Sequence, residues 1–269
     1  MLRTAIAQTT VVIPPQKQVY HHEVFWSKID INDFFKSTGY RWGWGFDFVF
    51  RTKNKFDQGS IFDERLREGY RPWVHYQFSP NARFSLSPIG YMYTHEYIGK
   101  PADLLRLPYH EWRTTFQFFH HFYTGNTGKF MHTYRYRYEM RWQNNPVTDE
   151  YRYLNRFRFR YRLRYLINSN SFYENHLWYT SVSNEIGLNF GESVVMNTFN
   201  QNSFYAGVGY RFANSVRVEL RYVNRFRTRG STGFEFDHGE GVMIGIYVDK
   251  LSDIKIQRKK DKQMLEQSD

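Results

Sequence analysis

Residues 156–165 read Arg-Phe-Arg-Phe-Arg-Tyr-Arg-Leu-Arg-Tyr. Arg156, Arg158, Arg160, Arg162 and Arg164 share one parity, and Phe157, Phe159, Tyr161, Leu163 and Tyr165 share the other. Successive side chains of a strand point to opposite faces, so this segment is guanidinium on one face and apolar or aromatic on the other. As a helix it would scatter both kinds around its circumference.

The pattern recurs. Tyr40, Trp42, Trp44, Phe46, Phe48 and Phe50 oppose Arg41, Gly43, Gly45, Asp47, Val49 and Arg51. Tyr134, Tyr136, Tyr138, Met140 and Trp142 oppose Arg135, Arg137, Glu139 and Arg141. Val216, Val218, Leu220 and Tyr222 oppose Arg217, Glu219, Arg221 and Arg225, while Val242, Ile244, Ile246 and Val248 form a last apolar row.

Strict alternation over about ten residues suits a soluble sandwich or a transmembrane barrel. The runs exceed the five or six residues of an average soluble strand. Their apolar faces end in Tyr and Trp, as membrane girdles do. Large aromatics such as those from Tyr40 to Phe50 also make a poor interdigitating core. The spacing therefore predicts an all-β transmembrane antiparallel β-barrel. Strands are expected near 39–52, 70–79, 82–94, 109–120, 129–143, 151–167, 176–190, 202–213, 215–227 and 240–249, ten in all. Residues 19–31 also read as a strand, and an even count would then need twelve. Long and short connections alternate, which places both termini on the periplasmic side of an outer membrane.

Composition removes other classes. One residue in five is aromatic, which excludes general disorder. Cysteine is absent, so no disulfide scaffold or thiolate metal site exists. No apolar run of about 18 residues can form a membrane helix. The net charge of +11 invites a nucleic-acid reading. Single-strand binders need aromatics beside basic residues on one accessible surface, and here period two separates them. No nucleic-acid partner is expected.

The chain divides into a lead-in at 1–17, a barrel at 18–250 and a polar tail at 251–269. Ala5-Ile6-Ala7-Gln8 looks like the cleavage site of a signal peptide whose apolar region is missing, and Pro14-Pro15 marks an extended stretch. The tail, with Lys255, Arg258, Lys259, Lys260 and Lys262 among acids, is a candidate for periplasmic contacts with other envelope proteins.

One family shares this arrangement. Trp26 in a strand-like segment, Arg51 closing the next, Gly90-Tyr91, Glu111-Trp112-Arg113 with Gln117, and the ladders at 134–142 and 156–165 follow in order. Over residues 18–250 the chain resembles the Gram-negative outer-membrane barrel family called domain-of-unknown-function 2490. The resemblance implies an outer-membrane barrel. It carries no assigned activity and so no catalytic residues. The basic tail departs from a barrel that ends on its last strand.

In a narrow barrel the inward residues would form a charged network: Arg41, Asp47, Arg51, Glu111, Arg113, Arg135, Arg137, Glu139, Arg141, Arg156, Arg158, Arg160, Arg162, Arg164, Glu185, Arg217, Glu219 and Arg221. Arginine forks pair with carboxylates, and a plugged, salt-bridged lumen of structural role is expected. The arginines outnumber the acids, which leaves a small anion-attracting pore as the alternative. Hydrolase readings are weaker. His238 beside Asp237 resembles the acid–His pairs of outer-membrane proteases, and His176 near Ser181, Ser183 and Glu185 offers a loose lipid-deacylase set, but a competent site needs base, orienting group and pocket together. His21-His22 and His120-His121 point to opposite faces of strands and cannot chelate a metal as pairs. The expectation is a non-enzymatic barrel in contact with outer-membrane lipid, without cofactor or metal.

Overall fold

The structure is a computed structural model that describes residues 16–56, 59–125, 128–194, 198–212, 215–229 and 233–254. The signal-like Ala5–Gln8 segment, Pro14-Pro15 and the tail beyond residue 254 lie outside the described residues. So do Ala213 and Asn214 of one expected tight turn.

The described residues form eleven strands. They are β1 (Gln18–Phe34), β2 (Trp42–Lys53), β3 (Glu64–Ser79), β4 (Ala82–Thr94), β5 (Tyr109–Thr124), β6 (Phe130–Asn144), β7 (Tyr151–Leu166), β8 (Leu177–Phe190), β9 (Phe199–Arg211), β10 (Val216–Thr228) and β11 (Glu235–Val248). Each pairs antiparallel with its neighbours in sequence, and the sheet closes on itself. Closure is by a parallel pair, with Gln18 beside Glu235 at one end and Ile31 beside Val248 at the other.

This corrects the expected count of ten or twelve. The segment 19–31 is a full strand, and an even number is unnecessary because parallel pairing also satisfies the backbone groups at a seam. With an odd count, the start of β1 and the finish of β11 lie at opposite ends of the barrel.

The strands are 12 to 17 residues long. One end of the barrel carries the loop 95–108, and the other carries the tight turn at 80–81. We call these the loop end and the turn end. Pro72 in β3 and Pro88 in β4 sit where the β3–β4 ladder is interrupted, between Tyr70 and Val74 on β3 and between Leu86 and Tyr91 on β4, and the β4–β5 ladder breaks between Ser87 and Gly90. Proline cannot donate to a ladder, so a bulge is the position it tolerates. Pro88 and Ile89 both remain exposed, and Ser85, Ser87, Gly90 and Met92 all remain buried across the bulge.

The distribution of side chains is inverted relative to a soluble protein. Each strand exposes at least one large apolar side chain on the outer surface, from Ile29 on β1 and Phe46 on β2 to Leu220 on β10 and Ile244 on β11. Outer aromatics pair across strands, as with Phe118 and Tyr136 or Tyr136 and Phe159. The buried set is dominated by charge and includes Glu111, Glu139, Glu185 and Glu219. Two glycines make room inside. A Cβ on Gly209 would overlap the buried Tyr179 ring, and one on Gly45 would strike His75 and Asn32. His75 bridges Asn32 and Ser85 at 2.8 Å each.

Candidate functional site

The interior is layered. Nearest the loop end lies an apolar plug of Val24, Trp26, Leu66, Tyr97, Tyr205, Val223 and Met243. Six of these come from strands by alternation, and Tyr97 comes from the loop 95–108. That loop joins β4 to β5, yet its ties reach β1, β10 and β11, so it crosses the barrel mouth. Arg229 donates to Asp103 at 2.6 Å and to Asp237 at 2.6 Å. Arg227 reaches Glu96 at 3.2 Å, and Lys100 pairs with Glu235. Tyr97 packs against His22 with ring centroids 4.4 Å apart and the planes tilted, and His22 meets Asp237 at 3.2 Å. Burial pushes up the Asp103 carboxyl, but hydrogen bonds from Arg229 and the Gly99 N–H outweigh it and hold the group below its ordinary value. Burial raises the Tyr97 phenol.

Below the plug lies a belt of buried ion pairs. Glu139 accepts from Arg156 at 2.6 Å and has Arg71, Arg113, Arg137 and Arg158 within 4.0 Å. Glu111 takes Arg141 through both oxygens, at 2.8 and 2.6 Å, and also binds Arg113. Arg71 grips Asp47 in the same way, at 2.8 and 2.7 Å. Glu185 holds Arg135 and Arg158 together. Glu219 is surrounded by Arg217 at 3.0 Å, Arg221 at 3.3 Å and Arg162 at 3.4 Å, with the Tyr179 hydroxyl at 2.8 Å. Buried carboxylates are tolerated only when paired and hydrogen-bonded, and each of these meets at least one fork.

Toward the turn end the packing opens into a cavity of about 630 Å³. Fourteen Lys and Arg side chains line it against five carboxylates. Its mouth lies among the turns, where Tyr40, Pro80, Asn81, Ser215 and Asp253 border it. Several guanidiniums on its wall rest on rings rather than acids. Arg51 lies 3.8 Å from the Trp26 ring, Arg164 4.7 Å from Phe172 and Arg83 5.1 Å from Phe119.

Seventeen of the eighteen residues expected inside do face the interior. Arg41 does not. It is exposed, just ahead of β2, and its carbonyl accepts from the Gln77 N–H. The turn ends the alternation there, so parity no longer carries the side chain inward. Lys28, Asp30, Arg67, Arg71, Arg83 and Asp249 belong to the interior but were absent from the expected set. Lys28 and Asp30 share parity with Trp26, a signal hidden by leaving 19–31 outside the strand count. Arg71, Trp73 and His75 share parity too, but Pro72 obscured the run. The lumen is also not plugged throughout, because toward the turn end it opens into this cavity, which Asp47 and Glu185 of the belt also border.

The hydrolase candidates do not converge. The His176 ring is exposed and meets the Tyr210 hydroxyl at 3.0 Å, while Ser181 and Ser183 point inward and Glu185 is held by arginines. Asp237 points inward to Arg229, and His238 points outward to His21.

The sequence profile of the family described as Protein of unknown function (DUF2490) matches residues 23–234. The chain belongs to this family. The stretch common to the DUF2490 family runs from within β1 to the residue before β11. It therefore contains the belt, most of the plug and the arginines of β7, while the seam strand lies outside it. No curated protein matches this DUF2490 chain.

Proposed function

We propose that this DUF2490 protein is an integral outer-membrane β-barrel of a Gram-negative bacterium, with a non-enzymatic, structural or accessory role. The observation that carries the reading is the apolar outer surface on all eleven strands around a charged interior. In water, such a surface would be one contiguous adhesive patch, whereas in lipid it is the low-energy face. A closed sheet also leaves no unpaired backbone edge, as a bilayer requires. Short turns face the periplasm in bacterial barrels. The cavity then opens to the periplasm and the bridged loop 95–108 caps the outer side, which makes the molecule a cup. β11 finishes at Val248 on the periplasmic side, the side on which contacts with other envelope proteins are expected.

Membrane fractionation tests this. The protein should enter the outer-membrane fraction, resist urea extraction and need detergent to stay in solution. Full solubility without detergent would defeat it.

The cation-rich cavity favours a second reading, an anion-attracting pore. The plug opposes it, since Tyr97, Trp26 and Tyr205 fill the cross-section. In planar bilayers the cup should be electrically silent, and stable anion-selective steps would establish the pore instead.

A further inference from the structure

The five acids of the belt stand opposite or beside arginines, as Glu139 stands across from Arg156 on β7. Arginine also faces arginine across strands in the belt, and there a carboxylate bridges the pair, as Glu111 does Arg113 and Arg141 and Glu139 does Arg137 and Arg158. Toward the turn end Arg135 on β6 is the direct cross-strand partner of Arg160 on β7, where Glu185 of β8 pairs with Arg135 and lies in register with Arg160. Like charges in such positions destabilise a sheet. Arg211 and Arg217 are direct partners too, but Asp249 binds both of them.

Arg160 has no hydrogen bond or ion pair among the described residues. Beyond it, Arg162 and Arg164 are buried, with Nε atoms that lack a partner. Alternate residues of one strand lie about 6.7 Å apart, so these three form a row roughly 13 Å long on one wall. The cavity they face, about 630 Å³, has the size of a small-molecule site.

We propose that this cavity binds a small soluble polyanion, a molecule carrying two or more phosphate or carboxylate groups in a compact array. Guanidinium forks match both groups bidentately. A bound anion between Arg135 and Arg160 would turn their repulsion into shared attraction. A phosphate-bearing lipid headgroup has the same chemistry. The wall favours the soluble source, because all eleven strands are paired and the cavity has its mouth at the turn end. The inference concerns the folded barrel in detergent, so it stands or falls separately from the membrane location.

Tripolyphosphate is the probe, titrated calorimetrically into detergent-solubilised protein at fixed ionic strength. It should bind with micromolar affinity and raise the melting temperature, while sulfate at equal ionic strength does neither. Arg160→Gln should weaken binding about tenfold or more, the loss expected for one charged hydrogen-bonding group. Arg65→Gln removes an equal charge from an exposed site and should leave affinity unchanged. Equal effects of tripolyphosphate and sulfate, or equal affinity in the wild type and Arg160→Gln, would overturn the proposal. So would tight binding of phosphatidic acid in mixed micelles that tripolyphosphate fails to displace.

Discussion

Asp103 and Arg229 lie 126 positions apart in the chain and meet at 2.6 Å across the barrel mouth. Asp103 sits in the short 3-10 turn Pro101–Leu105, and Arg229 directly follows β10. The pair fixes the crossing loop to the far wall and so holds Tyr97 in the plug. Asp103→Ala should release residues 95–108 and make them sensitive to proteases in the folded barrel. Arg229 keeps Asp237, so the cost should be about 1–3 kcal/mol rather than that of a fully stranded charge. Unchanged proteolysis would show that the plug holds the loop unaided.

The same pair predicts a pH dependence. Asp103 has a lowered pKa when folded. Its stabilising contribution is therefore complete above the unfolded value, about 3.9, and is lost as pH falls through the lower folded value. Hydrogen-exchange protection of the loop, taken relative to the intrinsic rate at each pH, should match at pH 7 and pH 5 and fall only in stronger acid. Loosening between pH 7 and pH 5 would assign the latch to another group.

Glu139 is the hub of the belt. Glu139→Gln keeps the shape but leaves five guanidiniums facing one another without that carboxylate. Breaking a buried pair costs about 3–5 kcal/mol. The variant should unfold at markedly lower temperature, read as the shift between folded and unfolded bands on semi-native gels. A near-neutral result would mean that water screens the belt.

Gly209 and Tyr179 occupy one space. Gly209→Val should cost about 1–3 kcal/mol through overpacking. Adding Tyr179→Ala should return part of that stability. Additive losses would disprove the steric coupling.

Leu220 projects outward beside its cross-strand partner Ile244. Leu220→Arg should cost about 2–4 kcal/mol for folding into a bilayer if the site lies near the midplane. On a wet surface the same change should cost almost nothing. Denaturant titration in vesicles separates the two.

The strand faces were legible because period two survives wherever no proline or bulge intervenes. Residues 156–165 read alone place Arg156, Arg162 and Arg164 inside. The missed residues share one cause. Arg71 follows the Tyr70 that begins the β3–β4 irregularity, and Lys28 belongs to a strand set aside because an even count was presumed. Alternation is local and reports which way a side chain points. It carries nothing about which strands meet, so the seam, the crossing of 95–108 and the choice of which arginines a carboxylate reaches had to come from three-dimensional pairing.

The parallel seam also gives the chain a direction in space. An even-stranded barrel begins and finishes on one rim, and its ends can be stitched together by a few residues. Here Gln18 and Val248 lie on opposite rims, separated by the height of the wall, about 35 Å for tilted strands of this length. No short linker can make the molecule circular, and labels fixed beside the two residues would look out on different sides of whatever layer the barrel crosses.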